Sequence, residues 1–354
     1  MSLTILSVAY PLAPVSLDAV GGAEQVMSQL DHALTQAGHR SIVVACAGSR
    51  AAGTLVEVPK VEGQLDTAWA EAHERHRRAV ATALERWPVD VVHMHGIDYN
   101  AYLPPPGMPV LATLHGPLSW YWDTALHPSR PDTWLHCVSQ TQHRACPATM
   151  PLLPPIENGV PVQALTARHA KRRFAMMLGR VCPEKGIHLA IEAAKRADIP
   201  LLIAGEVFAY ATHQRYFAEK VEPLLDDQRR FIGPIGFARK RRLLTAAQCL
   251  LVPSTELETS SLVAREALAC GTPVVAFPNG ALPETIEHGR TGFLVSDVAE
   301  MAAAIERCRA LDPALCRRVA CERFSFERMA DRYIGTYEML AASRTGQTRL
   351  SGVA

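Results

Sequence analysis

Two glutamates, Glu258 and Glu266, stand eight residues apart in the stretch ELETSSLVAREALACGTPVVA, residues 256–276, with two serines and a short apolar run between them. At about 100° per residue, one uninterrupted helix would set them roughly 80° apart around its axis, so they would not share a face. A helix that begins at Ser260 or Ser261 and stops at Gly271, just before Pro273, puts Glu258 in the preceding loop and Glu266 inside the helix. The serine hydroxyls can then accept from the first free N–H groups, and the helix start between the two carboxylates suits a phosphate. The chemistry on offer is a phosphorylated ligand held between two acceptors for hydroxyl groups. A solvated loop Glu and a helical surface Glu would give the same pattern.

Other stretches bear on that choice. Arg180 and Lys185 follow an apolar strand, and Gly186 opens the next helix, so two cations at the C-terminal end of a strand can clamp an anion. The plain alternative is an exposed Arg and a helix-start Lys. Gly21 and Gly22 lie between a strand and a helix, where the backbone can approach a ligand, or they form a simple turn and cap. Glu24 reads as a first-turn partner of the helix dipole. His115 ends a strand and alone reads as a hydrogen-bonded structural residue. His93 and His95 alternate on a strand as metal ligands can, yet no third ligand at suitable spacing accompanies them, and no metal is expected.

The elements that must position these residues alternate between strand and helix. Strands are expected in LTILSVAYP, RSIVVACA, VDVVHMH, PVLATLH and WLHCVSQ of the first half, with helices in GGAEQVMSQLDHALTQAGH and over residues 65–88. The pattern restarts near residue 174 with FAMMLGR, a helix over 187–197, PLLIAGE, RRFIGPIG, a helix over 239–248, CLLVPS, the Glu266 helix, PVVAF and GFLV. Short, nearly continuous apolar strands between helices imply parallel sheets covered on both faces. Two doubly wound domains are therefore expected, 1–163 and 164–324, joined by a polar, basic stretch over 163–173. A last helix over 325–342 carries Phe326, Met329, Ala330, Tyr333, Tyr337 and Leu340 as an apolar stripe that needs covering, which joins 325–343 to the first domain; 344–354 reads as a frayed end.

A chain of 354 residues with 48% apolar and 20% charged residues can bury two cores. A formal net charge of +1 gives no steering toward nucleic acid. Basic clusters at 171–173 and 238–242 read as solvated faces, with an anionic acceptor or a membrane surface as the alternative. Nine scattered cysteines without a CxxC pair fit reduced thiols in the cytoplasm. The N-terminus reads as a first strand and not a signal peptide, and no apolar stretch reaches membrane-spanning length.

Taken in order and spacing, GGAE (21–24), VDVVHMHG (89–96), LATLHG (111–116), ENGVPV (157–162), LGRVCPEKG (178–186), LLIAGE (201–206), LVPSTELETSSLVAREALACGTPVVA (251–276) and GALPETIEHGRTGFLV (280–295) resemble the retaining GT-B glycosyltransferases of family 4. The resemblance implies an α/β GT-B fold, with two Rossmann-like domains facing across a cleft and the last helix crossing back to the first. It also implies a nucleoside diphosphate sugar as donor substrate, with no further cofactor, and a hydroxyl acceptor that is a glycan, a lipid-linked molecule or a small molecule. Arg180 and Lys185, with Gly179, would bind the donor diphosphate, and His115 would contact the donor sugar. Glu258 would face the sugar hydroxyls and Glu266 the ribose. Gly21, Gly22, Ile232, Ser260, Ser261, Leu262 and Val263 would complete the donor site. Ser260 and Ser261 stand where the family often has Phe-Gly, which leaves the shape of the donor-sugar pocket open. The rivals are a non-catalytic nucleotide-sugar-binding protein of the same fold and a dinucleotide-dependent oxidoreductase. The second is disfavoured because the first turn lacks G-x-G-x-x-G.

Overall fold

The computed structural model describes residues 2–61 and 69–351, with side chains described through Ser343. The chain divides into two compact units, Met1–Glu157 with Glu327–Ala354, and Asn158–Phe326. The stretch 163–173 thus lies wholly within the second unit. Backbone pairing explains this placement: Val160 bridges Ser325, and Asn158 O accepts from Arg265 in the Glu266 helix.

The first unit holds β1 (Thr4–Val8), β2 (Arg40–Cys46), β3 (Thr54–Val58), β4 (Val91–Met94), β5 (Val110–Leu114) and β6 (Thr133–Cys137). They form one parallel sheet in the order β3-β2-β1-β4-β5-β6. The second unit repeats the plan with β7 (Ala175–Leu178), β8 (Leu201–Ala204), β9 (Arg229–Phe231), β10 (Cys249–Val252), β11 (Val274–Ala276) and β12 (Gly292–Leu294) in the order β12-β11-β10-β7-β8-β9. In each sheet the order reverses between the first strand and the fourth. That reversal opens a crevice at the C-terminal ends of β1 and β4 in one unit and of β7 and β10 in the other.

Local sequence explains the elements. The helix Ile187–Arg196 buries Ile187, Ala190, Ile191 and Ala194, a helical stripe laid on the second sheet's core. Strand β3 had no clear sequence signal, because it is an edge strand with mostly half-exposed side chains. Two further helices also went unread, Val298–Arg307 and Pro313–Arg323, although Asp297 and Asp312 cap them by accepting from Glu300 N and Ala314 N. The helix expected over 65–88 is present as Trp69–Arg86, its first expected residues, 65–68, lying outside the described residues. The last helix runs over Phe326–Ser351, continuing through most of the segment expected to fray.

That last helix belongs to the first unit, where Tyr333 and Tyr337 are fully buried. Tyr337 Oη lies 2.7 Å from His93 Nδ1, and His93 Nε2 lies 2.6 Å from Thr113 Oγ1, which also meets His136 Nε2 at 2.7 Å. His95 and His115 stack beside this chain, with Nδ1 and Nε2 3.0 Å apart. The individual spacing of His93 and His95 gave no third ligand, but strand pairing brings two more imidazoles alongside. Among the described residues these rings meet the hydroxyls of Tyr337 and Thr113, the Cys137 carbonyl and one another, while His95 Nε2 is buried without a hydrogen bond. Burial, with the neighbouring imidazoles, holds His93 and His95 well below the usual histidine range, and burial lowers His136 to about 4.

The native rings stay neutral where the unfolded chain already binds protons, so stability is fully present above about pH 6.5 and is lost as pH falls toward about 4. Each such ring contributes a slope of about 1.4 kcal/mol per pH unit within that window. Urea midpoints measured from pH 7.5 to 4.5 should fall steadily, and His136→Asn should flatten the curve. Parallel curves for the two proteins would contradict the assignment.

Candidate functional site

The second unit's crevice is built where β7 and β10 end. After β7 the chain passes Gly179 and Arg180, turns through Pro183–Lys185, and enters the next helix at Gly186. Gly186 has φ +63, and a Cβ there would lie 2.2 Å from Pro253 O, so only glycine lets the loop after β7 sit against the loop after β10. This approach carries Lys185 to Glu258. The ammonium donates to Glu258 Oε1 at 2.5 Å, and Ser254 Oγ, just beyond β10, donates to the same oxygen at 2.5 Å. Glu258 Oε2 makes no hydrogen bond among the described residues and remains available to a ligand hydroxyl.

Backbone contacts fix the Glu258 loop from its other side. Gly280 bridges Glu258 with φ +64, Ala281 N donates to Glu258 O at 2.7 Å, and Asn279 Nδ2 donates to Ser254 O at 2.6 Å. Burial works to raise the Glu258 carboxyl; Lys185, Ser254 and Arg180 outweigh it, and the pKa lies below the ordinary glutamate value. Glu258 is therefore a carboxylate at neutral pH. Arg180 lies 3.7 Å from Glu184 and remains partly exposed, so its guanidinium is within reach of an incoming anion.

The Glu266 helix runs over Leu262–Ala269, with Ser261 as its N-cap residue. Here the expected capping is corrected. Ser261 supplies its carbonyl to Arg265 N at 3.2 Å but its hydroxyl caps nothing, and the hydroxyl oxygens of Ser260 and Ser261 are both buried without a hydrogen-bond partner among the described residues. Two orphaned hydroxyls beside free helix N–H groups are donors without an acceptor. Buried polar groups normally find a partner, and a phosphate oxygen is an acceptor that these hydroxyls and the helix N–H groups could share. Leu262 and Val263 supply the first N–H groups of this helix.

Glu266 is buried, as expected of a residue inside this helix, but its partner was not foreseen. Lys240, from the helix Phe237–Ala246, donates to Glu266 Oε1 at 2.5 Å. The reading of 238–242 as a solvated face is therefore wrong at Lys240, which is 7% exposed. Lys240 and Leu244 are four apart on the buried side of their helix, so a cation in an apolar stripe was the available signal. Lys171, from the other basic cluster, likewise turns its ammonium inward, donating to Ala247 O at 3.0 Å and Thr272 Oγ1 at 2.5 Å. Ser254 was missed because a strand-end serine has no distinguishing spacing.

The remaining expected positions are distributed more widely. Ile232 follows the edge strand β9, its N–H donating to Ile203 O, two strands away from β7. Gly21, Gly22 and His115 belong to the first unit. Gly22 opens the helix Gly22–Gln36 after β1, and a Cβ at Gly21 would collide with the Glu24 carboxylate, so that loop is closed over by a first-turn acid. His115 follows β5, half-buried against His95, its pKa lowered by burial and by His136. Asp98, after β4, was not singled out from sequence; it is buried between His73 Nε2 at 2.7 Å and Tyr102 Oη at 2.8 Å. Among the described residues, one group has donor types suited to a metal: Cys182, Glu184 and His213, with ligand atoms within 4.8 Å of one another. Burial raises the Cys182 thiol to about 12.

Two parallel six-stranded sheets of this order, each reversing between its first and fourth strand, are those of the GT-B fold. A glycosyltransferase family 4 model matches residues 20–149, and a glycosyl transferases group 1 model matches residues 172–310. The chain belongs to glycosyltransferase family 4. It is 32% identical over 193 residues to a D-inositol 3-phosphate glycosyltransferase from Mycobacterium sp. (strain KMS), covering 51% of this chain and 44% of that protein. The alignment thus spans under half the length of that curated relative. Among solved structures, AviGT4, a glycosyltransferase involved in Avilamycin A biosynthesis, is 25% identical with a TM-score of 0.70, covering 96% of this chain and 98% of that one. HepE from Anabaena, in complex with UDP-glucose, is 18% identical with a TM-score of 0.73, covering 96% and 100%.

The buried Lys240–Glu266 pair yields a stability test. Removing one partner leaves an uncompensated charge, which costs about 3–5 kcal/mol, whereas replacing both with apolar residues costs far less. Lys240→Met alone should lower the urea midpoint strongly, and Lys240→Met with Glu266→Leu should recover most of it. An additive double variant would mean that the two side chains are not coupled.

Proposed function

We propose that the chain is a retaining, metal-independent glycosyltransferase that moves a sugar from a nucleoside diphosphate sugar to a hydroxyl acceptor. The observation that carries this is the second unit's crevice: an ionised Glu258 with one free oxygen, held by Lys185 and Ser254, beside two orphaned hydroxyls at a helix start. A diphosphate fits the Arg180 and Lys185 cations and the Ser260–Val263 helix start, because Lys185 uses one of its three N–H donors on Glu258 and keeps two for phosphate oxygens. Glu258 Oε2 then accepts from the sugar and Glu266 from the ribose, with Gly179 and Ile232 lining the nucleotide.

The two cations supply the charge that the departing diphosphate needs, and this is the basis for the metal-independent reading. The departing phosphate takes the acceptor's proton on the face where the new bond forms, so the anomeric configuration is retained and no protein base is required. The acceptor is a glycan, a lipid-linked molecule or a small molecule. No helix among the described residues is long and apolar enough to cross a membrane, and the cysteines are free. A cytoplasmic enzyme of polysaccharide biosynthesis, with peripheral membrane contact to reach a lipid-linked acceptor, is compatible with both.

The test separates the proposed roles. Lys185→Ala should lose about 2–4 kcal/mol of transition-state stabilisation, about 30- to 1,000-fold in kcat/KM, while EDTA changes little. Glu266→Gln should weaken nucleoside diphosphate and intact donor alike, because the ribose is unchanged by reaction. Glu258→Gln should lower turnover more than diphosphate affinity. These comparisons need dissociation constants and steady-state rates with a panel of nucleoside diphosphate sugars. Full activity of Lys185→Ala together with abolition by EDTA would transfer the charge role to a metal.

A further inference from the structure

A second concentration of positive charge lies in the second unit, sharing no residue with the Arg180–Lys185–Glu258 cluster. It lines a cavity of about 420 Å³. Arg168, His169, Lys171 and Arg317 border it, with Thr245 and Cys270, and no carboxylate does. Lys171 and Arg317 form no ion pair among the described residues. The nearest acid in sequence, Asp312, is engaged elsewhere, accepting from Ala314 N at 2.8 Å and lying 3.9 Å from Arg318.

Helix capping explains part of this arrangement. Lys171 donates to Ala247 O, just past the helix Phe237–Ala246, and Arg317 Nη2 reaches Cys270 O, at the end of the Glu266 helix, over a long 3.4 Å. Capping leaves most of the donors over. Among the described residues Lys171 has a third N–H beyond Ala247 and Thr272, Arg168 has no partner, and Arg317 Nε is buried without one. Burial also lowers the Lys171 pKa to about 8, and Arg317 pushes in the same direction. Like charges gathered around one cavity repel, and an anion between them removes that repulsion.

We propose that this cavity is a second anion site, taking the phosphate group of a small phosphate ester or free inorganic phosphate on Arg168, Lys171 and Arg317. The volume admits a phosphate with a small-molecule substituent. The cavity wall joins the C-terminal ends of the two helices that supply Lys240 and Glu266, through Thr245 and Cys270. Occupancy there adjoins the elements that hold the buried pair.

The experiment is calorimetric titration of the full chain with inorganic phosphate, with a hexose 6-phosphate and with the neutral hexose. It uses wild type, Lys185→Ala, Arg317→Gln and Arg168→Gln. The last variant removes an exposed side chain with no partner among the described residues and should fold normally. Saturable binding of phosphate or of the ester, unchanged in Lys185→Ala and at least about 10-fold weaker in Arg317→Gln and Arg168→Gln, is expected, with no heat from the neutral hexose. Stronger binding of the ester than of phosphate would identify an ester as the ligand, and equal binding would identify free phosphate. Absence of saturable binding, equal affinity in Arg168→Gln and wild type, or loss in Lys185→Ala alone would overturn the proposal. Lys185→Ala also keeps this outcome separate from the donor-site reading.

Discussion

Glu258 is ionised in a place where burial works against its charge, and the geometry of the crevice depends on how that opposition is met. Two donors converge on one carboxylate oxygen, one from the loop after β7 and one from the end of β10. They can converge only because these strands are neighbours in the sheet although two strands separate them in the chain. The strand order is therefore the precondition for the electrostatics. A parallel sheet that ran β7-β8-β9-β10 would leave Lys185 and Glu258 at different edges, and the desolvated carboxylate would have no cation. The same neighbourhood demands glycine at residues 186 and 280, where a side chain would strike Pro253 or Glu258 backbone.

The Glu266 helix faces a harder version of this problem. Within eight residues it buries two opposite charges, Arg265 and Glu266, both at 2% exposure or less. Adjacent helical residues point about 100° apart, so the two cannot neutralise each other well. Each has found a separate partner. Glu266 takes Lys240, while Arg265 donates to Asn158 O and lies over the Phe324 ring, 4.7 Å from its centroid. Asn158 and Phe324 sit where the chain enters and leaves the second unit, and Val160 N donates to Phe324 O between them. One short helix thus pairs a buried carboxylate with Lys240 and fastens the two chain crossings with the residue just before it.

Fold and site differed in how far they could be read from sequence. Apolar runs such as VVHM and CLLV are buried strands wherever they fall, and periodic helices such as Ile187–Arg196 declare the face they bury. Local pattern suffices there because burial is decided by neighbours in sequence. Strand β3 and the helix Pro313–Arg323 fail the same reasoning because their faces are half-exposed and weakly periodic. Charged partnerships behave differently. Lys240 meets Glu266 across 26 residues and Lys185 meets Glu258 across 73, and nothing in either residue's own surroundings states the match. Ser260 and Ser261 show the reverse error: their types announce a cap, yet the structure leaves both hydroxyls unsatisfied.

The last helix shows why a buried polar row can specify more than an apolar one. Across β4, β5 and β6 the sheet presents His93, Thr113 and His136, fully buried and linked by hydrogen bonds. An apolar helix laid over that row would leave His93 Nδ1 without a partner, at about 1–3 kcal/mol. Tyr337 meets it with a phenolic hydroxyl, and Tyr333 places its own 3.4 Å from Thr113. The two tyrosines stand four apart, so a single helical register satisfies both contacts, and sliding the helix by one residue would turn both hydroxyls away. Plain hydrophobic burial would tolerate several registers. The polar row selects one, which is how a C-terminal segment distant in sequence is held to the sheet of the first unit.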